Sequence, residues 1–145
     1  MPVGRICSRN VDTAALTDSV HAAAERMHAR QVGTLVVVDQ EHRPLGIVTD
    51  RDLVTRVLVE SQDPDKTCLW EVMSQLPRTV TEETSIEEAL GLMRSGPHRR
   101  LPVVNAQGHL VGIVSVDDIL SLIAGEFGEI GRLLRKESPE SLATV

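Results

Sequence analysis

The chain has 145 residues, 41% hydrophobic and 25% charged, with a formal net charge of −6. No apolar run approaches the roughly 18 residues of a membrane span, Met1-Pro2-Val3-Gly4-Arg5 is not a signal-peptide pattern, and Cys7 and Cys68 set up no disulfide framework, so the chain reads as cytoplasmic. The acidic balance, with Trp70 and Phe127 as the only aromatic residues, argues against a nucleic-acid face, which needs a basic surface or a stacking platform.

A short segment, Val3 to Ser8, opens the chain with room for one or two helical turns. After an extended stretch around Thr13, the apolar residues Val20, Ala23, Ala24 and Met27 fall at i, i+3, i+4, i+7, one face of a helix. Asp18 or Ser19 can cap it, and it is predicted to end near Gly33. The β-branched run Val36-Val37-Val38 then predicts a buried strand. The polar turn Asp39-Gln40-Glu41-His42 leads into Leu45-Gly46-Ile47-Val48, completing an antiparallel hairpin, and a second helix is expected over Asp52 to Leu58.

At an offset of about 66 residues the whole arrangement returns without a gap. Leu69 to Ser74 repeats the opening segment, and both segments are expected to link the halves. Ile86, Ala89, Leu90 and Met93 repeat the helical face behind Thr84-Ser85-Ile86-Glu87-Glu88, which offers overlapping capping boxes. That helix is expected to end near Gly96-Pro97. The strand Leu101 to Val104, the turn Asn105-Ala106-Gln107-Gly108, the strand Leu110 to Val114 and a helix over Asp118 to Ala124 complete the copy. The predicted fold is therefore α/β (α+β): two β-α-β-β-α repeats, residues 1–62 and 63–126, related by a pseudo-two-fold axis. Such symmetry brings equivalent loops face to face, so a site at their junction occurs in two versions.

Residues 127–145 form a C-terminal extension. Phe127, Ile130, Leu133 and Leu134 continue a helical stripe, and the expected cover for it is the chain's own domain, with a partner helix in a homodimer as the alternative. Gly125, Gly128 and Gly131 each weaken the helix there by about 1 kcal/mol relative to alanine. Fraying is expected from Ser138-Pro139 onward.

Candidate chemistry sits where each hairpin runs into a helix. Thr49-x-x-Asp52 follows Gly46-Ile47-Val48, and Ser115-x-x-Asp118 follows Gly112-Ile113-Val114. One reading is a capping box, hydroxyl to first-turn amide and acid back to the cap amide. The other is a ribonucleotide cradle, in which helix-start amides and the hydroxyl hold a phosphate and the short acid accepts from two ribose hydroxyls. Asp in both copies, where a capping box is better served by Glu or Gln, speaks for the cradle. No phosphate-binding loop of the Gly-x-x-x-x-Gly-Lys type and no Ser-His-Asp arrangement is present, so binding is expected rather than catalysis. The five histidines match no compact zinc motif, so no metal is expected. Cys7 and Cys68 read as small buried residues, and Trp70 as an interface or partly buried side chain.

These two motifs, with Val32-Gly33-Thr34-Leu35-Val36-Val37-Val38 and Arg99-Arg100-Leu101-Pro102-Val103-Val104, make the chain similar to a tandem pair of CBS domains over roughly residues 3 to 125. The resemblance implies binding of adenosine-containing ligands (AMP, ADP, ATP or S-adenosylmethionine) to regulate a partner protein, with no cofactor required. It also implies homodimers. It places Thr49 with Asp52, and Ser115 with Asp118, on phosphate and ribose. The adenine pocket would come from Thr13, Val32, Gly33 and Thr34 opposite Asp118, and from Thr79, Val80, Arg99 and Arg100 opposite Asp52. Arg99-Arg100 falls where the family often touches phosphate, whereas the first repeat has uncharged Gly33-Thr34, so the two sites are expected to differ in affinity. Arg51 is a further candidate phosphate contact or a solvated surface charge. The competing expectation is a ligand-free dimerisation and interaction module in which the hydroxyl-acid pairs only cap helices.

Overall fold

A computed structural model describes residues 1–75 and 78–137. The first half consists of β1 (Thr13–Ala15), α1 (Val20–Arg30), β2 (Thr34–Val38), β3 (Pro44–Thr49) and α2 (Asp50–Leu53), which runs on as a π-helical turn over Val54–Leu58. After β4 (Ser74–Gln75) the second half repeats the order as β5 (Val80–Thr81), α3 (Ile86–Ser95), β6 (Arg100–Val104), β7 (Leu110–Ser115) and α4 (Val116–Glu137). In each half a parallel pair from the helix crossover is extended by an antiparallel hairpin. The sheets run β1-β2-β3-β4 and β5-β6-β7.

The helices begin where hydroxyls can satisfy the first free amides. Ser19 Oγ accepts from the Ala22 amide at 3.0 Å, and Ser85 Oγ accepts from the Glu88 amide at 3.1 Å. The overlapping capping boxes expected at Thr84-Ser85 are not formed: Ser85 caps alone, and Thr84 Oγ1 instead accepts from the Thr81 amide within the preceding turn. Helix α1 stops earlier than Gly33 suggested. Gln31 takes the left-handed conformation at φ 55 and its side-chain amide donates to the His28 carbonyl, so a non-glycine residue closes the helix by its own hydrogen bond.

The opening segments do more than link the halves; they cross between them. Val3–Arg5 forms a 3-10 turn whose Val3 and Gly4 amides donate to Thr84 and Glu82, and Ser8 exchanges both backbone hydrogen bonds with Ile113 of β7. Val3 is buried in the second half's core with Val103 and Val114. The equivalent turn Leu69–Glu71 does the reverse. Leu69 donates to the Asp18 carbonyl, Ser74 pairs with Ile47, and Leu69, Val72 and Met73 are buried with Leu35 and Val48 in the first half's core. Each core is completed by a segment that precedes the other repeat.

The second helix of each repeat starts directly at the end of its hairpin, at Asp50 and Val116 rather than at Asp52 and Asp118. Helix α4 runs unbroken through Gly125, Gly128 and Gly131 to Glu137. Its apolar stripe does not pack on its own domain, which corrects the first of the two readings above: Phe127 is 69% exposed, and Leu120, Ile130, Leu133 and Leu134 are all exposed. Among the described residues these positions stay open to solvent. Trp70 is half exposed and Cys7 and Cys68 are free and partly buried. The fraying expected from Ser138-Pro139 lies outside the described residues.

Candidate functional site

Hairpin register puts the motif hydroxyls beside the strand starts. Thr49 pairs with Thr34 across β2 and β3, and Ser115 pairs with Arg100 across β6 and β7. The strand-to-helix turn is tied to the neighbouring strand start in both repeats, because the Asp50 amide donates to the Gly33 carbonyl and the Val116 amide to the Arg99 carbonyl. Gly46 and Gly112 allow the crossing segments to lie against β3 and β7. A Cβ on Gly46 would stand 2.8 Å from the Ser74 carbonyl oxygen and against Met73 Sδ, and one on Gly112 would meet Cys7 Sγ at 2.9 Å. Burial pushes the Cys7 thiol pKa up, with nearby carboxylates adding to the effect and Arg9 opposing it.

Both capping boxes are formed. The Asp52 amide donates to Thr49 Oγ1 at 3.2 Å and Asp52 Oδ2 accepts from the Thr49 amide at 2.9 Å. In the second copy Asp118 Oδ2 accepts from the Ser115 amide at 2.8 Å and from the Ser115 hydroxyl at 3.0 Å. A carboxylate has two oxygens, so capping leaves the second one available. Asp52 Oδ1 has only Arg56 Nε at 3.7 Å, and the side chain is 14% exposed, so the carboxylate is held in one orientation at the surface of a cleft. Cap and ligand anchor are therefore compatible in one side chain.

That cleft, about 600 Å³, lies between the halves. From the first half it is lined by Thr49, Asp50, Arg51, Asp52 and Arg56, with Gly33 and Thr34 beside them. His98, Arg99 and Arg100 line it from the second half. A recess of about 160 Å³ adjoins it, sharing Ile47, Ser74, His98 and Arg100 and reaching Arg78 and Leu92. The volume of the main cleft falls in the range of small-molecule sites. The structure thus brings together Thr49, Arg51, Asp52, Arg99 and Arg100 of the expected residues. Thr79 is exposed and Val80 is buried in the second core, and neither is among the lining residues.

Around the other motif, Val32, Gly33 and Thr34 line a smaller cleft of about 280 Å³ with Arg100 and Ile113, while Ser115 and Asp118 are not on its walls. Thr13 lines neither cleft. It stands on an open concavity of about 800 Å³ along β1 with Asp12, Asp18 and Arg26, away from both motifs. Sequence reasoning did not name Asp50, Arg56, Ser74 and Arg78 as site residues. For Arg56 the signal was present: it is four residues after Asp52, the spacing that places two side chains on one helix face. It also donates to the Val72 carbonyl at 2.9 Å, tying the crossing segment to the cleft wall.

Two half-domains of one topology, with the Thr49-Asp52 motif of the first facing Arg99 and Arg100 of the second across a cleft, define a paired-repeat module. Residues 3–59 and 69–125 each match the CBS domain family, and the chain belongs to that family. An uncharacterized protein of Methanopyrus kandleri is 38% identical over 120 residues, covering 83% of this chain; the chain spans only 61% of that relative's length. The CBS domain pair of protein MJ0100, solved in complex with 5-methylthioadenosine and S-adenosyl-L-methionine, is similar at TM-score 0.76 and 26% identity, covering 87% of this chain and 98% of that chain. CBSX2 in complex with AMP is similar at TM-score 0.74 and 26% identity, covering 86% and 96%. No helix among the described residues is long and apolar enough to cross a membrane.

Proposed function

We propose that the chain is a non-catalytic regulatory module that binds an adenosine-containing ligand, AMP, ADP, ATP or S-adenosylmethionine, between its repeats and passes occupancy to a partner protein. The observation that carries this reading is Asp52: one carboxylate oxygen is fixed by the Thr49 amide, the other is free of backbone bonds, and Arg99 and Arg100 stand on the same cleft. In this reading Asp52 accepts from the ribose hydroxyls while Thr49, Arg51, Arg99 and Arg100 serve the phosphates. Ser115 and Asp118 carry the second version, with Val32, Gly33 and Thr34 on the neighbouring smaller cleft. Two pairs of the same fold bind ligands of this class. A thermal-shift panel with these four ligands tests the reading. A ligand at about one hundred times its dissociation constant adds ~2.7 kcal/mol, a shift of several degrees. Because both capping boxes are complete without ligand, a panel with no shift would favour the interaction module instead.

The partner of first choice for the exposed helix is a second copy. Leu120, Ile123, Phe127, Ile130 and Leu134 follow the alternating three- and four-residue spacing of a coiled-coil seam. Acidic Asp117, Glu126 and Glu129 occupy the first part of α4 and basic Arg132, Arg135 and Lys136 the last, a gradient that favours antiparallel pairing with itself. Changing Phe127→Glu together with Ile130→Glu is expected to convert a dimer into a monomer, read by light scattering on a sizing column. A wild-type protein already monomeric at high concentration would refute this pairing.

A further inference from the structure

The two versions of the site differ in charge at equivalent positions. Around Asp52 stand Arg51, Arg56, Arg99 and Arg100, with Arg78 on the adjoining recess, against the carboxylates of Asp50 and Asp52. In the about 66-residue register the second version replaces Arg51 by Asp117, Arg56 by Leu122, Arg78 by Asp12, and Arg99-Arg100 by Gly33-Thr34. Val116 stands where the first version has Asp50, and no cation stands at the second version's equivalents of the five arginines, Asp12 being itself paired with Arg30 at 2.8 Å. Arg100 is the one arginine that borders both clefts.

Resting on the adenosine-ligand reading, we infer that the Asp52 cleft selects a nucleoside di- or triphosphate and that the Asp118 side rejects phosphate, so that one polyphosphate binds per chain. Among the described residues Arg51, Arg99 and Arg100 make no ion pair, so their charges are not already neutralised by the protein. Arginine forks fit phosphate oxygens, and a chain of two or three phosphates meets more of them than a single phosphate does. The cleft also exceeds the adjoining recess in volume, about 600 against 160 Å³, giving a phosphate chain room beyond a base-sized hollow. On the other side an anionic chain at the helix start would meet the carboxylates of Asp117 and Asp118, with uncharged Gly33 and Thr34 where the first version has Arg99 and Arg100. Uncharged or cationic nucleosides meet no such repulsion there.

Isothermal titration of the full chain with adenosine, AMP, ATP and S-adenosylmethionine, at low and at physiological salt with matched magnesium, tests this. The expected result is one ATP per chain, bound at least tenfold more tightly than AMP at low salt, with the preference shrinking as salt rises. Arg51→Gln and Arg99→Gln are each expected to reduce the ATP-to-adenosine affinity ratio several-fold. Two ATP molecules per chain, or AMP or S-adenosylmethionine binding as tightly as ATP, would overturn the inference while leaving the adenosine-ligand reading standing. Silence with all four ligands would overturn both.

Discussion

Replacing Asp52 by alanine is expected to weaken binding of the adenosine ligand about a hundredfold while lowering the stability of the ligand-free protein by only ~1 kcal/mol. The two effects come from different oxygens of one carboxylate. Oδ2 closes the capping box with the Thr49 amide, and its loss is an ordinary cap loss. Oδ1 is the proposed ribose acceptor, and hydrogen bonds to a charged group contribute about 1.5–3 kcal/mol each, so losing two of them reaches a hundredfold in affinity. The contact with Arg56 at 3.7 Å adds little, because the arginine is half exposed and such pairs are worth less than about 1 kcal/mol. Titration and chemical denaturation of the same variant separate the terms. Equal affinity in wild type and Asp52→Ala, with the stability loss alone, would reduce the motif to a helix cap.

Leu69→Ala is expected to destabilise the protein by about 2–5 kcal/mol, the range for truncating a buried leucine. Leu69 is 0% exposed, yet it belongs to the turn that introduces the second repeat while packing in the first half's core beside Leu35 and Val48. The location of the effect is the sharper part of the prediction. Hydrogen exchange is expected to accelerate first in β2 and β3, not in β6 and β7, because the cavity opens beneath the first sheet. Faster exchange confined to the second half would contradict the crossing of the segments.

Much of this architecture was legible because repetition doubles each signal. The helical spacing from Val20 to Met27 is weak alone, but its return from Ile86 to Met93 marks both helices. Gly46 and Gly112 entered the sequence reading only as parts of the repeated motif; the close approach of Met73-Ser74 and Cys7-Ser8 that they permit became visible only in the fold. The crossing itself was not legible: Val3 and Leu69 are single apolar residues in segments too short for any period, and nothing local says which core receives them. Helix α4 was under-read for a different reason. Three glycines lower helix propensity, yet propensity is a weak prior when the residues between them keep one face apolar. In the site, sequence reasoning posed cap and cradle as rivals because it counted side chains; the geometry counts oxygens, and Asp52 has one for each role. Arg56 escaped notice because its i+4 spacing to Asp52 gained meaning only once the cleft wall was known.

The most direct test of the central claim is the structure of the protein crystallised with ATP. The account predicts the ribose hydroxyls on Asp52 Oδ1, with the phosphates toward Arg51, Arg99 and Arg100. A nucleotide bound elsewhere, such as in the concavity along β1, or no nucleotide at saturating concentration, would contradict it.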